Sequence, residues 1–190
     1  MDETISRMDS ASEQAVQSLV GCAVQTVDCT VLTCISRYAA SVGTSLWEVA
    51  SVSIPLASQR FFVLESKWSD TEKERLDYFY LSARISDAPE EVGSSSSRTL
   101  AEGVSDEDQF ALELGPRLQI KSVDILEAHE TGAYEAVIYD AGLLITRIDG
   151  VQVALIRDPD SILGGFWVTH VPEVIDELRT GLRIRSRYGG

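Results

Sequence analysis

Leu143-Leu144-Ile145-Thr146-Arg147-Ile148, then Asp149-Gly150, then Val151-Gln152-Val153-Ala154-Leu155-Ile156: two runs of strand-forming residues meet at a dipeptide suited to a tight turn. Asp-Gly supplies the positive φ angles that a two-residue type I′ turn requires, so the stretch predicts a β-hairpin. Pairing across that turn sets Ile148 opposite Val151, Thr146 opposite Val153 and Leu144 opposite Leu155 on an apolar face. Arg147 then meets Gln152 on the other face.

Working outward, Leu118 to Leu126 and Tyr134 to Tyr139 read as two preceding strands, and Gly165-Phe166-Trp167-Val168-Thr169 as a following one. A short helix is predicted from Pro172, with Glu173 early and Arg179 late to suit the helix dipole and Val174, Ile175, Leu178 and Leu182 as its apolar stripe.

Further upstream, residues 60–68 and 76–85 are two β-rich runs bracketing a polar loop from Ser69 to Arg75. Alternation puts Tyr78, Tyr80, Ser82 and Arg84 on one face of the second run. It puts Asp77, Phe79, Leu81, Ala83 and Ile85 on the other, which is the better candidate for the core. Residues 22–36 carry Val, Thr, Cys, Leu and Ile and predict two short strands, while residues 3–20 carry a weakly amphipathic helical pattern ending near Gly21. The fold class predicted is α+β: mainly antiparallel sheet, in hairpins and a meander, with an N-terminal helix and a short C-terminal helix.

Residues 1–190 read as a single domain. Residues 87–109 contain Pro89, Gly93, Gly103, four consecutive serines and the run Asp106-Glu107-Asp108, which predicts a flexible acidic loop dividing two β-rich halves.

The 30 acidic residues outweigh 16 basic ones, for a formal net charge of −14. A field of that sign repels nucleic acid and anionic lipid, and no apolar run reaches the length of a membrane span. The acidic opening residues lack a secretory pattern, so the expected location is cytoplasmic. Cys22, Cys29 and Cys34 are odd in number and clustered, which suits free thiols rather than a disulfide framework or a metal site.

Phosphate-cradling glycine loops, nucleophile elbows, His-Glu-x-x-His pairs and calcium loops are all missing from the sequence. His129 and His170 have acids nearby in sequence but no nucleophile, and Asp158-Pro159-Asp160-Ser161 reads as turn chemistry. No cofactor, metal or catalytic residue is expected. Glu65-Ser66-Lys67 resembles the second half of the PD-(D/E)xK nuclease motif, in which strand-borne acids hold a divalent metal and the lysine orients water. That resemblance implies a metal-dependent nuclease-like enzyme using Glu65 and Lys67. It departs from the family pattern upstream, where Glu48 is the nearby acid and no Pro-Asp precedes it.

Charge distribution carries the leading expectation. From Glu65 to Glu113 there are 13 acids and 5 bases, whereas the last twelve residues hold Arg179, Arg183, Arg185 and Arg187 and no acid. The acidic loops, with Trp68, Tyr78 and Tyr80 as aromatic anchors, predict a surface that captures a basic protein. Its residues are Trp68, Asp70, Glu72, Glu74, Asp77, Tyr78, Tyr80, Asp106, Glu107 and Asp108. The expected function is an acidic protein-binding protein, for example an immunity protein that neutralises a basic nuclease-type toxin. A structural or scaffold subunit that oligomerises through a strand edge or the terminal helix is a further alternative.

Overall fold

The computed structural model describes residues 2–35, 46–89, 109–158 and 164–190. The ten strands are β1 (Asp2–Ser6), β2 (Ala23–Ile35), β3 (Leu46–Pro55), β4 (Phe61–Asp70), β5 (Asp77–Ser86), β6 (Gln109–Thr131), β7 (Glu135–Arg147), β8 (Gln152–Arg157), β9 (Phe166–Thr169) and β10 (Arg183–Gly189). Among the described residues two α-helices, α1 (Ser10–Gln17) and α2 (Pro172–Leu178), join them in an α+β fold.

All ten strands belong to one sheet, and every pairing is antiparallel except β1 with β7. β7 pairs with β8, β8 with β9, β9 with β3, β3 with β2, β2 with β6, and β6 again with β7. The hydrogen-bonded path therefore closes into a six-strand ring. β1 and β10 lie on outer edges of β7 and β6. The hairpin β4–β5 branches from β3, where Val52 to Pro55 pair with Leu64 to Phe61. Strands on both sides of residues 87–109 thus share one sheet.

The main core fills the ring. Val27, Val49, Val52, Ile120, Val123, Leu143, Ile145, Val153, Leu155, Phe166 and Val168 point into it, joined by Val16 and Leu19 from α1 and by Phe62, Leu64 and Leu81 from the branching hairpin. The helix starts where the Asp9 carboxylate accepts from the Ser12 amide at 2.7 Å, a side-chain cap that satisfies an orphan N–H. α2 opens on Pro172 as its pattern predicts, and Val174 and Ile175 are buried. Ile175 seals a second, outer cluster with Leu126, Leu144, Ala154 and Ile156. Among the described residues no helix is long and apolar enough to cross a membrane.

Three local expectations are corrected. The predicted helix over residues 3–20 is shorter, because Asp2–Ser6 pair in parallel with Glu135 to Tyr139. The residue 22–36 region is one strand rather than two. The Asp149-Gly150 hairpin is present, but its register is Thr146 with Gln152, Ile145 with Val153 and Leu143 with Leu155. Arg147 O accepts from the Gly150 amide at 3.0 Å and Gly150 carries the positive φ of 86°, so the loop holds three residues instead of two. The slip leaves Ile148 exposed and buries Arg147, which donates to Pro116 O at 3.0 Å and pairs with Asp149.

β7 also changes parity along its length. Leu126 pairs with Gly142 but Glu127 with Asp140, so Ala141 is an extra residue, a β-bulge. After it Leu143 and Ile145 face the main core; before it Val137 and Tyr139 belong to a separate outer cluster with Ala128 and Tyr78.

Candidate functional site

The β4–β5 hairpin is where the sequence placed a partner-binding surface. Phe61 to Asp70 pair with Ser86 to Asp77, so the predicted hairpin is present, with its charged loop over residues 71–76 in place of Ser69 to Arg75. β3 accompanies β4 no further than Leu64. From Glu65 to Asp70 the outer edge of β4 is unpaired among the described residues.

Trp68 lies on that stretch and is 59% exposed, with Glu72 and Asp77 exposed near it in the hairpin and without ion pairs among the described residues. Tyr80 is half-buried. Tyr78 is a correction: it is 3% exposed and stacks on Tyr139 with ring centroids 5.7 Å apart. It is fastened to β7 and unavailable as an anchor. Asp106, Glu107 and Asp108 lie outside the described residues.

Glu74 is also committed elsewhere. Its carboxylate accepts from the amides of Ala133 at 3.0 Å, Tyr134 at 2.8 Å and Glu135 at 2.7 Å. Those amides hold the Glu74 carboxyl below its ordinary value. Glu135 reciprocates, accepting from the amides of Lys73 at 2.9 Å and Glu74 at 2.6 Å. The two glutamates clasp the hairpin tip to the β6–β7 turn. Asp70 is neutralised by Arg75 at 2.7 Å, and Lys73 pairs with Asp2. The acidic surface is therefore smaller than the charge count implies.

Glu65 and Lys67 lie on β4 and Glu48 on β3. Glu65 accepts from Arg84 at 2.8 Å and its register partner is Ser82, while Glu48 sits opposite Trp167. Among the described residues no three His, Cys, Asp or Glu side chains are grouped to hold a metal. His129 and His170 are exposed. Burial, with Asp28 adding to it, pushes the Cys29 thiol far above its ordinary value, so it is inert. Pro159, Asp160, Ser161 and Cys34 lie outside the described residues or side chains.

The basic C-terminal stretch is not a free counter-pole either. Arg185 clamps the fully buried Asp140 through Nε at 2.7 Å and Nη2 at 2.9 Å, and its Nη1 reaches Glu13 at 2.7 Å. The Met8 amide adds a bond to Asp140 at 2.8 Å. Arg187 grips Asp124 at 2.6 and 2.7 Å. Burial pushes the Asp140 carboxyl upward, while Arg185 and the Met8 amide pull it back.

A cavity of about 270 Å³ lies on the outer face of β6 to β9, under the end of α2. Sequence reasoning did not find it. Ala128, Glu130, Tyr139, Ala141, Ile156, Arg157 and Trp167 come from the strands, and Glu177, Leu178, Thr180 and Leu182 from α2 and the turn after it. The bulge at Ala141 is what turns Tyr139 toward this side. The Arg157 side chain is 5% exposed and stacks over Phe79 at 4.9 Å and Tyr139 at 5.6 Å. Its Nη1 donates to the Tyr139 hydroxyl at 3.0 Å and stands 3.8 Å from Glu130 Oε1. Tyr139 donates in turn to Glu130. Burial, reinforced by Glu130, pushes the Tyr139 phenol well above its ordinary value, so it remains a neutral donor.

Arg157 Nε is buried and has no hydrogen-bond partner among the described residues. An orphaned donor of that kind costs about 1–3 kcal/mol. The one sequence signal for it was an arginine closing the apolar run Val153 to Ile156.

The chain matches no known protein family, no curated protein and no solved structure.

Proposed function

We propose that the protein is a non-catalytic binder of a basic protein partner, and that the β4–β5 hairpin supplies the contact. A nucleic-acid-binding toxin neutralised by an immunity protein is the kind of pair such a charge arrangement suits. The observation that carries the reading is Trp68, a large aromatic side chain 59% exposed on a strand edge that is unpaired among the described residues. Glu72 and Asp77 stand exposed in the same hairpin, and the molecule carries a net charge of −14. An aromatic anchor set in an acidic rim gives slow release once docked, and the long-range field gives fast capture.

The test is site-specific photo-crosslinking in the source cell, with the reactive residue at position 68 and, as control, at the exposed Arg60 on the far end of the hairpin. The expected product at 68 is a protein rich in lysine and arginine, and its association rate with the purified chain falls with added salt. Equal crosslinking at both positions overturns the proposal, as does a captured protein without basic excess. Capture of a second copy of this chain replaces it with a self-assembling scaffold using the β4 edge.

A further inference from the structure

We propose that the cavity under α2 is a binding site for a small apolar molecule carrying a single carboxylate. This site is separate from the hairpin surface and does not depend on it. Three features define the occupant. First, the cavity is small, about 270 Å³, at the low end of sizes that hold organic ligands. Second, the lining includes Ala128, Ala141, Ile156, Leu178 and Leu182, whose side chains offer no partner for a polar body.

The third feature is charge. Arg157 lines the cavity, is 5% exposed, and keeps a buried Nε without a partner among the described residues. Its guanidinium is already fixed by Phe79, Tyr139 and the bond to the Tyr139 hydroxyl, so it loses little freedom when it accepts an anion. A carboxylate supplies the acceptor that Nε lacks and adds a charge-assisted bond in a water-poor site. Glu130 and Glu177 also line the cavity. Both oppose an anion, though the side chain of Glu130 is 42% exposed and Glu177 is also exposed, so water screens them, and a phosphate dianion is opposed more than a monoanion.

The experiment titrates the purified full chain with phenylacetate, phenylacetamide, phenethylammonium and phenyl phosphate, reading backbone amide shifts of Ala141, Ile156 and Leu182 by NMR. These four share a ring and differ in charge. Phenylacetate is expected to give saturable shifts at those residues, with the amide and the ammonium weaker by about tenfold or more. Arg157→Gln, checked for folding by near-ultraviolet circular dichroism, should bring phenylacetate down to the amide's affinity. Thr180→Trp, made at an exposed turn residue, should fill the mouth and abolish binding without touching the buried arginine, so the test stands even if Arg157→Gln does not fold. No saturable shift with millimolar phenylacetate overturns the proposal. So does equal binding of phenylacetamide or phenethylammonium, tighter binding of phenyl phosphate, or undiminished binding by Thr180→Trp.

Discussion

Two regions of the molecule carry opposite charges in close pairs, and they do different work. Around β10, Arg185 and Asp140 meet where the carboxylate is fully buried and the guanidinium only 13% exposed. On the β4–β5 hairpin, Arg75 and Asp70 meet at the same 2.7 Å with the arginine side chain 72% exposed. Distance does not distinguish them; water does. In the first region the charges have been withdrawn from solvent and their pairing decides whether the strand can dock at all. In the second, water screens the pair, and the hairpin's charges remain able to attract something from outside.

The largest effect should come from breaking the buried pair. Arg185→Gln leaves Asp140 uncompensated and is expected to cost about 3–5 kcal/mol, read as a lower urea midpoint. Adding Asp140→Asn to it should recover much of the loss, because the unpaired charge is gone. A loss in Arg185→Gln as small as that from a surface pair would erase the contrast between the regions.

Next is the clasp at the hairpin tip, which lies between the two extremes. Removing it with Glu135→Gln should raise amide exchange at Lys73 and Glu74, and lower the urea midpoint by less than Arg185→Gln does. Acid should do the same reversibly. Hydrogen bonds from amides hold the Glu74 carboxyl below its ordinary value, so its contribution is present above that ordinary value and is lost as pH falls through the depressed one. Asp140 runs the other way: its raised value gives a contribution present at low pH that declines as pH rises through it. Protection of the Ala133, Tyr134 and Glu135 amides should therefore be lost in acid while the amides around Asp140 stay protected. Simultaneous loss of both would show one cooperative unit rather than two.

Smaller still is Asp70→Asn, which should change stability by about 0–1 kcal/mol and less at high salt. Trp68→Ala should shift stability by no more than about 0.5 kcal/mol, as for an exposed side chain outside the core. Its consequence is expected in partner binding alone, measured as a faster dissociation rate.

The strands of the hairpins and the helix at Pro172 were legible because their signals are local: alternation, turn dipeptides and a proline suited to a first helical turn. What escaped depended on partners far along the chain. Nothing within residues 135–147 marks Ala141 as an extra residue; the bulge exists only relative to Glu127 and Leu126. The one-residue slip at Asp149-Gly150 depended on whether one or two residues take positive φ, and only Gly150 does. Tyr78 alternates as an outward residue on its own strand, yet Tyr139 of another strand covers it. In the candidate sites, Trp68, Glu72 and Asp77 were visible as exposed types in a polar context. Glu74 looked identical to them, and its engagement by three backbone amides could not be read from residue type. Arg157 went unnoticed for the converse reason, since a single arginine at a strand end is ordinary until a cavity is found beside it.

The closed ring of strands has a consequence for how the chain comes together in time. β3 must wait for β9, since Trp47 to Val49 pair with Val168 to Phe166 across most of the sequence, and β2 must wait for β6. Contacts this remote in sequence make folding slow, because the entropy of closing long loops is spent before the contacts return it. As a ribosome delivers the chain, β2 and β3 can pair with each other, but their other edges emerge long before β6 and β9. The nascent protein should thus need shelter from aggregation until Phe166 to Thr169 have been made, and its yield should fall when synthesis outpaces that protection.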